Sequence, residues 1–261
     1  KLKNYYICHM EFNRENILNK TTTAKQTVVM DEGLRAYMLK VYNYMAAGVF
    51  LTGIISLISF KISVVTDSTG AIAGFTSIGN ALFFSGLKWV VMLSPLAVVI
   101  YMSFGIKNMS VAKAQTVFWI FASLMGLSLS WILLVYTGAS VARVFFIASA
   151  TFGTMSIYGY TTKRDLTKLG SFCMMGLFGI IFASLANMFF KSGTTHFVIS
   201  IIGVLVFIGL TAYDTQKIKN MYAASDAGEL MGKKAIMAAL TLYLDFINLF
   251  IFLLRLFGQR R

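Results

Sequence analysis

Seven apolar runs make up most of the chain from residue 41 onward: 41–60, 87–106, 114–136, 141–160, 169–190, 197–213 and 236–257. Each is near the roughly 20 residues that an α-helix needs to cross the hydrocarbon core of a bilayer. Continuous apolarity of this length reads as helix, because a helix satisfies its own backbone hydrogen bonds where there is no water. The pattern predicts an all-α, polytopic membrane protein with seven transmembrane helices.

The intervening pieces are polar. Residues 1–40 are mixed in charge and hold no apolar run of the kind that a cleavable signal peptide carries. A helix starting near Asp31, a good capping residue, places Leu34, Tyr37, Met38 and Val41 on an apolar face beside Arg35 and Lys40. It is expected to lie along the inner surface and lead into the first span. The chain therefore divides into a polar N-terminal arm with a juxtamembrane helix, 1–40, and a seven-helix transmembrane domain, 41–261. The connection 61–86 is rich in Ser, Thr and Gly, and its Ala81-Leu82-Phe83-Phe84 patch suits a short interfacial helix. Within the runs, Pro95 is expected to kink the second helix. Ser149-x-x-x-Gly153 in the fourth, and Gly176 and Gly179 in the fifth, are expected to admit a neighbouring backbone closely.

One carboxylate interrupts the last run. A charge at the centre of a spanning helix costs about 2.5–3.5 kcal/mol on insertion scales, which makes Asp245 a candidate functional residue. At about 100° per residue, Thr241, Asp245, Asn248 and Arg255 fall on one stripe roughly 80° wide. Such a stripe should face protein or water rather than lipid. The plainer reading is a buried polar cluster that only fixes helix packing.

Composition agrees with a membrane protein. The chain is 57% hydrophobic and 13% charged, with mean hydropathy +0.74. Its net charge of +13 would suit a nucleic-acid binder, but the apolar runs leave no basic globular domain, so nucleic acid is not expected as a partner; the lipid bilayer is. Sixteen of the 23 basic residues fall in the N-terminal arm and in the second–third, fourth–fifth and sixth–seventh connections. The positive-inside rule then places the N-terminus in the cytoplasm and, with seven spans, the C-terminus outside. The basic Arg260-Arg261 end leaves open an even number of spans with one segment re-entrant. Cys8 and Cys173 are too far apart in sequence to suggest a disulfide framework, and no spaced Cys/His set suggests a metal. His9 and His196 read as interfacial.

A second carboxylate, Asp214, closes the sixth run. Sequential helices are antiparallel neighbours, so Asp214 and Asp245 can come side by side. Two carboxylates in one site cannot both ionise cheaply. Such a pair holds a proton, binds a divalent cation when ionised, or switches between the two. For Asp214 alone the plainer reading is an interfacial carboxylate beside Lys217 and Lys219. No catalytic constellation is present: no Gly-rich phosphate loop, no Gly-x-Ser-x-Gly and no His-Glu-x-x-His. The flanks Tyr-Asp-Thr and Leu-Asp-Phe are unlike those of intramembrane aspartyl proteases. An enzyme is not expected, and neither is a cofactor.

Leu242-Tyr243-Leu244-Asp245-Phe246-Ile247-Asn248-Leu249-Phe250, with Leu253-Leu254-Arg255, resembles the last-helix signature of the Bax inhibitor-1 family. Ala212-Tyr213-Asp214-Thr215-Gln216-Lys217-Ile218 resembles its sixth-helix motif, and Gly33-Leu34-Arg35-Ala36-Tyr37-Met38 resembles the bacterial branch. The resemblance runs from about Gly33 to Gly258. It implies a seven-helix bundle with the last helix central, located in the bacterial inner (plasma) membrane. It implies a pH-sensitive passive cation leak, with calcium as the transported ion, in which Asp214 and Asp245 form the pH-sensing pair. In the family a basic residue at the inner end of the second helix pairs with this dyad, and an acidic residue earlier in that helix pairs with the Arg matched by Arg255. Here the second run has no Asp or Glu, and Lys107 is the candidate counter-charge. The alternative implied by some bacterial relatives is a non-conducting regulator of a membrane-anchored ATP-dependent protease.

Overall fold

The structure, a computed structural model, describes residues 32–67, 72–226 and 228–261 throughout; of residues 2–31 it describes only the backbone, as the leading part of the first helix. Cys8, His9 and the side chain of Asp31 thus lie outside the described residues, as does most of the arm. The elements are α1 (Leu2–Ser63), β1 (Val64–Thr66), β2 (Ile72–Phe75), α2 (Ser77–Phe83), α3 (Leu87–Gly105), a 3-10 turn (Ile106–Asn108), α4 (Val111–Val135), α5 (Gly138–Thr161), α6 (Thr167–Phe190), α7 (Gly193–Asn220) and α8 (Gly228–Phe257). Seven helices are long and apolar enough to cross a membrane; within α1 the spanning stretch is Glu32–Ser63.

The turns explain where the helices start. Ser110, Thr137 and Ser192 each accept a hydrogen bond from the backbone N–H three residues on, at the heads of α4, α5 and α7. Each satisfies a donor that the first helical turn leaves free. Lys191 ends α6 at φ 50°, a left-handed residue that lets the chain reverse within two residues. The connection 61–86 holds the expected short helix, α2, and also an antiparallel hairpin, with Val64 opposite Phe75 and Val65 opposite Gly74. The β-branched Val64-Val65-Thr66 favours a strand once the helix has left the apolar run.

α7 and α8 extend well beyond their apolar runs. α7 continues to Asn220, so Asp214 lies inside it rather than at its end, and α8 begins at Gly228. Hydropathy marks where lipid contact stops, and a helix continues for as long as its backbone is paired. Between them, Lys234 Nζ bonds both Asp226 Oδ2 (2.6 Å) and the Met221 carbonyl (3.0 Å), tying the hairpin together.

The helices differ in burial. The apolar window of α8 is 72% buried, that of α7 50% and that of α3 11%. α8 packs against α1, α4, α5 and α7, while α6 packs on α7 and α3 on α4. Tyr243 is its anchor. The ring is fully buried, edge-on to Phe121 at 5.0 Å, and its hydroxyl meets Thr52 Oγ1 of α1 at 2.7 Å. Thr52 in turn donates to the Ala122 carbonyl of α4. The close backbone approach expected at Gly153 occurs at Gly159 instead. A Cβ at Gly153 would meet open space, and one at Gly159 would strike the Ala212 carbonyl of α7. Gly153 looks away from α7, which packs on the α5 face carrying Gly159. Of the two glycines expected to admit a neighbour in the fifth run, Gly176 abuts Val206 and Gly179 meets nothing. Pro95 lies within α3. The C-terminal tail folds back onto the α4–α5 turn, where Thr137 N bonds the Gln259 carbonyl and Arg261 N the Val135 carbonyl.

Candidate functional site

The seam between α7 and α8 sets the site. Phe207 of α7 stacks on Phe252 of α8 at 5.8 Å. Gly203 lies against the same Phe252 ring, where a side chain would collide. Seven residues on from Phe207 is Asp214, and seven back from Phe252 is Asp245. Seven residues are close to two helical turns, about 10 Å of rise. The antiparallel register that stacks the two rings therefore sets the two carboxyls side by side.

The two carboxyl groups lie within side-chain interaction distance of each other. A hydrogen bond between two carboxyl groups requires a proton on one of them. Asp245 is buried, at 5% exposure, and Asp214 is half-buried. Asp245 Oδ2 accepts no hydrogen bond from the described residues. A buried carboxylate oxygen with no partner costs about 1–3 kcal/mol, which a proton or a bound cation would offset.

Around the pair the packing is tight and hydroxyl-rich. Gly159 brings the α5 backbone against Ala212, and Gly170 of α6 lies against the Tyr213 ring. Thr215 Oγ1 meets Ser156 Oγ of α5 at 2.9 Å, and Ser156 meets the Tyr42 hydroxyl of α1 at 2.5 Å. This three-helix hydroxyl chain was not among the sequence expectations. Its available signal was a Ser inside one apolar run and a Thr just past the end of another, a pattern too common in membrane helices to single out.

The chain matches the family described as "Inhibitor of apoptosis-promoting Bax1" over residues 34–261. It belongs to the Bax inhibitor-1 family. Similar chains support the membership. RP147 of Rickettsia prowazekii (strain Madrid E) is 48% identical over 240 residues, 92% of this chain and 96% of that one. Inner membrane protein YbhL of Escherichia coli (strain K12) is 44% identical over 231 residues, 88% and 94% of the two chains. A Borreliella burgdorferi protein is 42% identical over 214 residues, 81% and 92%. The two stretches that carry the resemblance, residues 212–218 and 242–255, form the two walls of the seam.

The remaining candidates make their hydrogen bonds and ring contacts elsewhere than with the pair. Thr241 Oγ1 donates to the Met237 carbonyl and Asn248 Nδ2 to the Leu244 carbonyl, both within α8. The stripe they form is bonded to its own helix. Arg255 lies ten residues beyond Asp245, about 15 Å along the axis, with its guanidinium 5.3 Å from the centre of the Phe252 ring. The structure thus does not bring Asp245 and Arg255 together. Lys107 is exposed on the 3-10 turn, where its carbonyl accepts from Lys233 Nζ at 3.5 Å. The cation whose charge bears on Asp214 is Lys217, with its ammonium 5.8 Å from the Tyr213 ring centre. Lys217 was visible three residues after Asp214 and was read as an ordinary interfacial partner. No group of three or more His, Cys, Asp and Glu side chains converges among the described residues.

Proposed function

We propose that this protein is a pH-sensitive passive cation leak of the bacterial inner membrane, with calcium as the ion, gated by the Asp214–Asp245 pair. The observation that carries the reading is the pair of interacting carboxyl groups inside the α7–α8 seam, Asp245 buried and Asp214 half-buried. A pair sharing one proton carries a single negative charge. Gain or loss of that proton makes the charge zero or two, and the seam that encloses it must respond. Two carboxyls fall far short of the roughly six to eight oxygens of a resident calcium site. They suit an ion in transit rather than one that is held. In this reading α8 is the central helix, wrapped by the other six, and its displacement opens the path. The N-terminus is cytoplasmic by the distribution of Lys and Arg. The chemistry is transport and not catalysis.

Liposomes that contain only the purified protein test this reading. Calcium should enter down its gradient, at rates that differ between two pH values on either side of neutrality. Absence of flux at both values would overturn the leak and favour a non-conducting regulator, such as one acting on a membrane-anchored ATP-dependent protease. Uphill flux driven by a proton gradient would indicate a coupled transporter. Orientation is tested separately: a reporter fused after Lys163 should read cytoplasmic and one near Gly74 periplasmic.

A further inference from the structure

At the end of the bundle away from the α7–α8 loop, a cavity of about 520 Å³ opens between α3, α4 and α8 under α2. Its walls are apolar and aromatic, including Phe83, Trp89 and Trp131. Among the described residues its only charged lining residues are two cations, Lys88 in the first turn of α3 and Arg255 in the last turn of α8. Among the described residues neither has an ion-pair partner. The ion pairs are Lys233–Glu229 and Lys234–Asp226, both at the opposite end. Arg255 also makes no hydrogen bond there. Its contact with the Phe252 ring engages the charge but satisfies none of its five N–H donors. The Lys88 ammonium likewise lies over a ring, 5.4 Å from the centre of Trp89.

The charge balance of this end favours an anion. Lys61, Lys88, Arg143, Lys191, Arg255, Arg260 and Arg261 face a single carboxylate, Asp67. The mouth favours an amphiphile. Trp89 and Met92 are 58% and 56% exposed on the outer face of α3, a surface that only acyl chains cover in a bilayer. Two unpaired cations beneath an aromatic rim, at the depth where a helix begins and another ends, match one chemistry: a phosphate with apolar tails attached. We propose that this cleft binds the headgroup phosphate of an anionic phospholipid, held by Lys88 and Arg255, with its acyl chains along α3.

The test uses the full chain with Trp119 replaced by Phe, so that both remaining indoles line the cleft. It is reconstituted in vesicles doped with either brominated phosphatidylglycerol or brominated phosphatidylcholine. Preferential quenching by the anionic lipid is expected, and Lys88→Gln should lower that preference about fivefold, the share of one interfacial cation. Arg255→Gln should do the same, and Arg255→Lys should keep most of it. Arg143→Gln, at the same end but outside the cleft, should leave it unchanged. Equal quenching by the two lipids would overturn the proposal. So would an equal loss in Arg143→Gln, which would reveal a diffuse basic belt. Equal quenching by the two lipids, with an indole fluorescence change on adding millimolar inorganic phosphate, would assign the cleft to free phosphate instead.

Discussion

Two helices of nearly equal apolarity occupy opposite environments. The windows of α3 and α8 have mean hydropathies of 2.0 and 2.1, yet they are 11% and 72% buried. Hydropathy ranks how well a helix tolerates lipid, and it does not tell a helix that faces lipid from one that faces other helices. Side-chain size and polarity do. Buried α8 presents Gly232, Ala235, Ala238 and Ala239, which let neighbours approach, and it carries Asp245. Exposed α3 presents Trp89, Val90, Met92, Leu93 and Leu96. In lipid there is no hydrophobic drive to bring helices together, so close packing and paired polar groups decide which helix is enclosed.

The contrast breaks most severely where two backbones meet. Gly159→Val would force α5 off the Ala212 carbonyl, and should cost at least the roughly 1–3 kcal/mol of ordinary overpacking. Gly153→Val on the same helix meets open space and should stay within about 0.5 kcal/mol. Unfolding midpoints in detergent compare the two, and equal midpoints would refute the close α5–α7 contact. A gentler comparison uses Leu249, fully buried in α8, and Leu93, 59% exposed on α3. Leu249→Ala should cost on the order of 2 kcal/mol, mainly the cavity it leaves. Leu93→Ala should cost little, because lipid fills the space. Smaller again is the hydroxyl chain. Tyr42→Phe removes its link to Ser156 and should cost about 0.6 kcal/mol, the average of polar contacts between membrane helices; an unchanged midpoint would show the link to be idle.

The smallest effect lies outside the membrane. Asp165 accepts hydrogen bonds from the Thr167 hydroxyl (2.6 Å) and backbone N–H (2.9 Å). These hold its carboxyl below the ordinary carboxylate range. A carboxyl depressed in the folded state adds stability above its unfolded value, and that stability is lost as pH falls through the folded value. Thr167→Val should therefore raise the Asp165 titration midpoint seen by NMR. An unmoved midpoint would contradict the hydroxyl's role.

Much of this was legible in the sequence, because apolar runs and a lone intramembrane carboxylate are conspicuous. The seven spans and the antiparallel neighbours that carry Asp214 and Asp245 follow from them. Less legible were features that depend on rotation about a helix axis. Gly153 and Gly159 differ only in which face of α5 they occupy. Lys107 and Lys217 are both basic residues at span ends, but only Lys217 shares a helix with Asp214. The β1–β2 hairpin was hidden because short strands leave little periodicity.

The central claim is that Asp214 and Asp245 act as one proton-sharing unit. Calcium flux into liposomes, measured at two pH values for Asp214→Asn, Asp245→Asn and the double variant, tests it most directly. Each single change leaves one carboxyl with no second carboxyl to share a proton with, so each should abolish the pH response, and the double variant should add little to either. A normal pH response in Asp214→Asn would contradict the account.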